Sequence, residues 1–204
     1  MKLIIFDFDG VLVHTHIMCY EIHKELNPDL KYNFFQSLSH GNFPELYTKA
    51  ENENKIIGNP NFRSIYKDRI SSLEMPVELK KIIIKLSEKY PLFIISSTAS
   101  NMILPFLEKE RIVDKFKMIF GSDIHVSKTE KIKNLLTDYK LSPKDVIFIT
   151  DTTGDIIEAR ECGVQSIGVT WGLHDPENLS REKPFALVNT PEELEEKIEE
   201  FFRY

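Results

Sequence analysis

The chain has 204 residues, 42 % of them hydrophobic and 28 % charged, and its formal net charge is −6. This length suits one domain, or one domain with an insertion, and the composition excludes a disordered tail, a collagen-like rod and a coiled coil. An acidic balance disfavours a general nucleic-acid binder, and no run of about 18 apolar residues exists, so neither nucleic acid nor a membrane is expected as a partner. Met1-Lys2-Leu3 leads to Asp7 before an apolar stretch of signal-peptide length can form, so a cytoplasmic location is expected. Cys19 and Cys162 are far apart and read as two separate thiols, not a disulfide framework or a metal pair.

The first element is a buried strand over Lys2–Phe8, an apolar run bounded by Asp9-Gly10. Residues from about 15 to about 74 break the pattern that follows. They are rich in Asn and Pro, hold helix-like pieces at Ile17–Leu26, Phe43–Glu51 and Phe62–Leu73, and offer no convincing strand. Strands and helices then alternate. A helix over Val77–Lys89 follows Pro76, with apolar residues at 79, 82, 83 and 86. Strands are expected over Leu92–Ser96 and Lys117–Phe120, the latter closed by Gly121. A helix over Thr129–Tyr139 carries Ile132, Leu135 and Leu136, and a strand over Val146–Thr150 comes next. A helix over Asp155–Cys162 stops at Gly163. Strands over Ser166–Val169 and, at an edge, Ala186–Val188 precede a last helix, Pro191–Phe202, which Thr190 would cap with Glu193 three residues on. Such alternation predicts an α/β fold whose parallel sheet is covered on both faces. The expected division is a core of residues 1–14 and 75–204 and an inserted helical domain of residues 15–74.

Ligands of open parallel sheets bind at the carboxyl ends of the strands, and the polar residues of interest fall there. Asp7 and Asp9 close the first strand two residues apart, so both carboxylates can face one site, and Gly10 allows a sharp turn after them. Asp151-Thr152-Thr153-Gly154-Asp155 follows the fourth strand. Asp155 could simply cap the next helix. That does not explain two carboxylates here and two more after the first strand. Clustered like charges are costly unless a cation compensates them, and a hard divalent ion with oxygen ligands, most simply Mg²⁺, is the natural choice. An anionic ligand would also need positive charge and hydrogen-bond donors. Lys128 supplies the first, chosen by position over Lys131 and Lys133, and Ser96 with the Ser97 backbone N–H supplies the second.

Four ordered motifs carry a resemblance. They are Phe6-Asp7-Phe8-Asp9-Gly10-Val11-Leu12, Ile94-Ile95-Ser96-Ser97, Lys128, and Thr150-Asp151-Thr152-Thr153-Gly154-Asp155. Together the sequence resembles the haloacid dehalogenase-like (HAD) superfamily, and within it phosphoglycolate phosphatase-like members of subfamily I. The resemblance implies a Rossmann-like three-layer core with a small helical cap inserted between the first two motifs. It implies a Mg²⁺-dependent phosphatase acting on a small phosphorylated metabolite, as a monomer or homodimer. Asp7 would be the nucleophile that becomes an aspartyl-phosphate, and Asp9 the general acid/base. Ser96, Ser97 and Lys128 would hold phosphoryl oxygens. Asp7, Asp151 and the backbone carbonyl of Asp9 would ligate Mg²⁺, with Asp155 and Gly10 supporting. A phosphomutase of the same superfamily and a catalytically idle binding domain are the alternatives. Dehalogenating members lack an aspartate at the position of Asp9, which argues against that activity. Lys24, Lys31, Lys49 and Lys55 match no Schiff-base motif and read as surface lysines, which argues against a phosphonatase.

Several residues depart from the pattern or stand outside it. His14 takes the place of an acidic residue, and His14 with His16 reads as a cap hinge or flap before a metal pair. Lys128-Thr129-Glu130 stands where many relatives have lysine-proline. Trp171 is expected to pack and His174 to lie at the surface, unless their loop lines the pocket. Phe34 and Phe35 are expected in the core of the insertion.

Overall fold

Leu3–Phe6 forms strand β1, and all four of its side chains are buried. A run apolar at every position fits only a strand covered on both faces. The structure, a computed structural model, describes residues 1–124 and 126–203; positions 125 and 204, inside the segment assigned to the core, lie outside it. Five strands join β1: β2 (Leu92–Ile95), β3 (Phe116–Phe120), β4 (Val146–Thr150), β5 (Gln165–Val169) and β6 (Ala186–Val188). All pair in parallel in the order β3-β2-β1-β4-β5-β6. The chain thus builds outward from β1 on one side and then restarts on the other, which puts a switch point beside β1.

The register explains the layers. Leu3 lies opposite Val146, and Ile5 opposite Phe93 and Phe148, so these side chains share one face. They pack with Ile132 and Leu135 of helix α7 (Lys128–Asp138) and Ala159 of α8 (Thr153–Glu161). Ile4 and Phe6, with Leu92, Ile94, Ile147 and Ile149, face the other way. There they meet α5 (Val77–Lys89), α6 (Ser100–Lys109) and α10 (Pro191–Arg203). The two faces, each with its helices, complete a three-layer α/β Rossmann-like fold.

Between β1 and α5 come α1 (His16–Lys24), α2 (Tyr32–Ser37), α3 (Phe43–Asn52) and α4 (Phe62–Ile70), with no strand among the described residues. Leu30, Phe35, Leu38, Ala50 and Ile56 form a small core of their own here, with Phe34 against it, as expected of this pair of aromatics. Met18 and Ile22 of α1 and Tyr66 and Ile70 of α4 instead join the main core.

Differences from the expected elements have local causes. β1 ends at Phe6, not Phe8, because the Phe8 carbonyl accepts from the Leu12 N–H in a tight loop. Gly10 makes that loop with φ +73°, a value that disfavours any residue with a Cβ. Helix α8 begins two residues before Asp155. Its cap is Thr152, whose Oγ1 accepts from the Asp155 N–H, so Asp155 is not the capping residue. Three helices were not expected: α2, α6 and α9 (Pro176–Arg181). Pro105 lies inside α6, where it removes a donor, and burial of Met102, Ile103, Phe106 and Leu107 outweighs that loss. At α10 the Glu193 N–H does donate to the Thr190 hydroxyl, at 3.3 Å.

Candidate active site

The carboxyl ends of β1, β2 and β4 open on a cavity of about 530 Å³ whose other wall belongs to α1, α2, α3, α4 and the loops between them. Asp7, Asp9, Ser96, Ser97, Lys128, Asp151 and Asp155 all line it, so the structure brings every expected side chain to one place. Gly10 lines it too, and its missing Cβ is essential, since one would fall 1.9 Å from Asp151 Oδ2.

Asp7 continues the ladder past β1. Its N–H donates to the Ile149 carbonyl at 2.9 Å, and its Oδ1 accepts from the Phe8 N–H at 2.8 Å. Its Oδ2 lies 3.2 Å from Lys128 Nζ, and both side chains are buried. Burial pushes the Asp7 carboxyl well above the usual carboxylate range, against the pull of Lys128. Lys128 sits at the first position of α7, where Ser127 and Glu130 form a capping box that fixes the helix start. Its ammonium also donates to Asp155 Oδ2 at 2.7 Å. Burial alone would lower the Lys128 ammonium, but Asp155 and Asp7 outweigh it and hold the charged form. Thr150 Oγ1 donates to the same Asp155 oxygen at 2.8 Å, so Asp155 orients the lysine. The neighbouring Lys131 is committed elsewhere, donating to the Gly121 carbonyl at 2.9 Å and the Ser96 carbonyl at 3.4 Å.

Asp9 is gripped by three hydroxyls. Thr15 and Tyr66 donate to Oδ1 at 2.6 and 2.7 Å, and Thr98 donates to Oδ2 at 2.6 Å. None of the three was singled out from sequence. Thr15 and Thr98 stand next to the motifs, but Tyr66 comes from α4 and has no sequence signal. Ser96 is buried and its Oγ accepts from the Thr98 N–H at 3.0 Å, which leaves the hydroxyl hydrogen free to donate elsewhere. Ser97 is exposed.

Asp151 Oδ2 accepts from the Leu173 N–H at 2.7 Å, whereas its Oδ1 is buried without a partner. Burial raises the Asp151 carboxyl to about 7, the Leu173 N–H opposing and Asp155 reinforcing that rise. A buried orphan oxygen beside other carboxylates suits a cation. Among the described residues no three acidic, histidine or cysteine side chains form a ready metal cage. The Asp7 and Asp151 carboxylates with the Asp9 carbonyl are instead a donor set suited to a hard divalent ion.

The inserted helices are latched to the core beside this site. The Gly154 N–H donates to the Ser39 carbonyl at 3.1 Å, and Asn42 Nδ2 donates to Glu158 Oε1 at 3.2 Å. Gln36 Nε2 donates to the Leu173 carbonyl at 2.7 Å. His174 is buried, not at the surface as expected. Its Nδ1 accepts from the Thr153 N–H at 3.0 Å, which leaves Nε2 to donate to the Gln36 carbonyl at 3.1 Å. Trp171 does pack, its Nε1 donating to the Val11 carbonyl at 3.2 Å, and Leu173 of the same loop lines the cavity. His14 is exposed, whereas His16 lines the cavity with a buried Nδ1 that has no partner. Lys24, Lys31, Lys49 and Lys55 are exposed, as surface lysines should be. Both cysteines are free. No described helix is long and apolar enough to cross a membrane.

A model of the haloacid dehalogenase-like hydrolase family matches residues 4–169. The chain belongs to that family. A phosphoglycolate phosphatase of Synechococcus elongatus is 23 % identical over 211 residues, covering 100 % of each chain. Among solved structures, a haloacid dehalogenase-like hydrolase of Streptococcus pneumoniae has a TM-score of 0.75 at 24 % identity, over 95 % of this chain and 96 % of that one. A hydrolase of Pseudomonas syringae reaches 0.80 at 14 % identity, over 98 % and 99 %. At such identities the structural likeness carries the fold alone.

Proposed function

We propose that this HAD-like hydrolase is a Mg²⁺-dependent phosphatase that cleaves a phosphate monoester of a small metabolite through an aspartyl-phosphate on Asp7. The observation that carries the reading is the meeting of Asp7, Asp9, Asp151 and Lys128 around one cavity at a sheet switch point. The phosphatase named among the relatives supports it.

Asp7 Oδ2 would attack phosphorus, and Lys128, 3.2 Å away, would offset charge on the transferring phosphoryl oxygens. The Ser96 hydroxyl and the Ser97 N–H would hold those oxygens. Asp9, kept in place by Thr15, Tyr66 and Thr98, would protonate the leaving alcohol and then take a proton from the water that hydrolyses the intermediate. Mg²⁺, held by Asp7, Asp151 and the Asp9 carbonyl, would neutralise phosphate charge. The lining counts Asp7, Asp9, Asp151, Asp155, Glu51 and Glu158 against Lys128 and Arg63, so a dianion needs that help.

Residues 15–74 would act as a cap that excludes water and bulky esters, over a core of 1–14 and 75–204. A cytoplasmic monomer or homodimer without nucleic-acid or membrane partners fits the same reading. The test is phosphate release from a panel of metabolite esters with Mg²⁺, using Asp7→Asn as control. Activity should need Mg²⁺ and vanish in the variant. Activity surviving in Asp7→Asn removes Asp7 as nucleophile, and an isomerised sugar phosphate in place of free phosphate would reveal a mutase.

A further inference from the structure

The cavity does not end at the aspartates. Its far wall is built by Phe35, Phe43, Tyr47 and Phe62 with His23, all from the inserted helices. These rings already form an aromatic array. His23 lies 4.8 Å from Phe62 at an interplanar angle of 19°, and 5.1 Å from Tyr47. Phe43 and Tyr47 lie 5.6 Å apart. The Tyr47 hydroxyl and His23 Nδ1 are 3.1 Å apart, so each satisfies the other. His23 is neutral near pH 7, because burial lowers the imidazole to about 4.

Charge on this wall disfavours an acid. Besides Lys128, which Asp7 and Asp155 engage, the cation lining the cavity among the described residues is Arg63, whose side chain is exposed. Glu51 lines the same wall, its carboxylate against Gly58. A carboxylated two-carbon alcohol would leave most of a cavity of about 530 Å³ empty. Pockets of roughly 300–1,000 Å³ suit larger, mostly apolar ligands with a few polar anchors.

We propose that the site takes phosphate monoesters whose alcohol carries an uncharged aromatic or heteroaromatic ring, seated against Phe35, Phe43, Tyr47, Phe62 and His23. The inference rests on the phosphatase reading and narrows its substrate class. The rings offer stacked or edge-to-face partners, and the phosphate end stays at Asp7 and Lys128.

The test compares benzyl phosphate with 2-phosphoglycolate, both primary alkyl esters, for kcat/KM with Mg²⁺. It also compares binding of their non-hydrolysable isosteres, 2-phenylethylphosphonate and 3-phosphonopropionate, by calorimetry. Benzyl phosphate should be favoured by about tenfold or more, with the phenyl phosphonate the tighter ligand. Phe62→Ala should raise KM for benzyl phosphate more than it lowers kcat. Equal preference, or preference for 2-phosphoglycolate, overturns the inference, as does tighter 3-phosphonopropionate that weakens in Arg63→Ala. If neither ester is hydrolysed, the metabolite-ester panel still decides the phosphatase reading, and the phosphonate pair decides what the cavity accepts.

Discussion

The Tyr66 hydroxyl of α4 donates to Asp9 Oδ1 at 2.7 Å, a bond across 57 residues of sequence that ties an inserted helix to the end of β1. Burial and the Asp9 carboxylate push the Tyr66 hydroxyl well above its ordinary range, so it keeps its proton and acts as donor. Asp9 is therefore aimed jointly by the core, through Thr98, and by the insertion, through Tyr66 and Thr15.

Asp9→Asn should lower kcat by about 10²–10⁴-fold, the usual worth of general acid–base catalysis. Tyr66→Phe keeps the ring but removes one of the three donors. It should lower kcat by roughly tenfold, by loosening Asp9, with a smaller change in KM. It should cost about 1 kcal/mol of stability, as a typical lost hydrogen bond does. Steady-state kinetics and urea unfolding check both variants. An unchanged kcat in Tyr66→Phe removes its positioning role.

Gly154→Ala tests the latch. In a free helix this change would stabilise by up to about 1 kcal/mol. Here the new Cβ would lie 2.2 Å from the Gly41 carbonyl oxygen and 2.9 Å from that of Ser39. Both are backbone atoms, so the segment 39–41 must move. The expected result is a loss of about 1–3 kcal/mol and a raised KM, read by thermal unfolding and kinetics. A gain in Tm would show that this contact is open in solution.

Mg²⁺ binding should show in stability as well as in activity. A ligand at 100 times its Kd adds about 2.7 kcal/mol, which in a chain of this size is roughly 5–10 °C in Tm. Wild type should gain that shift in Mg²⁺ over EDTA. Asp151→Asn should gain little, because the buried Oδ1 without a partner becomes part of a neutral amide. Equal gains in both proteins would place the ion elsewhere.

His23 predicts an acid limb in stability. Burial lowers its imidazole from 6.5 to about 4. The unfolded chain then binds more protons than the folded one between those values, so acid favours unfolding. The contribution is full above about pH 6.5, falls as pH drops through that window and is gone below about 4. Its size is at most about 3.4 kcal/mol, for about 2.5 pH units at about 1.36 kcal/mol each. Urea midpoints across pH 4–7 should show the slope, and His23→Phe should flatten it. An unchanged slope in the variant assigns the limb to other groups.

The alternating elements and the strand-end carboxylates were legible because they are local. Strands β1, β2 and β4 are apolar at nearly every position, and Asp7, Asp9, Asp151 and Lys128 stand at or just beyond element ends that hydrophobic pattern and turn chemistry define. Ser96 and Asp155 were legible for the same reason. Helix α6 was not, because Pro105 contradicts its local pattern while burial against the sheet overrides that contradiction. The capping role of Thr152 and the burial of His174 were also hidden, since each depends on a hydrogen bond chosen among several available partners.

The sequence by itself determined the fold class and which chemical groups sit at the strand ends. Both follow from side-chain periodicity and from where turns interrupt it. Tertiary structure alone decided what surrounds those groups. Tyr66 reaches Asp9, Gly154 meets Ser39, and Phe35, Phe43, Tyr47 and Phe62 wall one cavity, because packing brings together residues whose separation in sequence carries no periodic signal. The candidate site is written in local motifs, and the far wall of its cavity is set by how the inserted helices dock on the sheet.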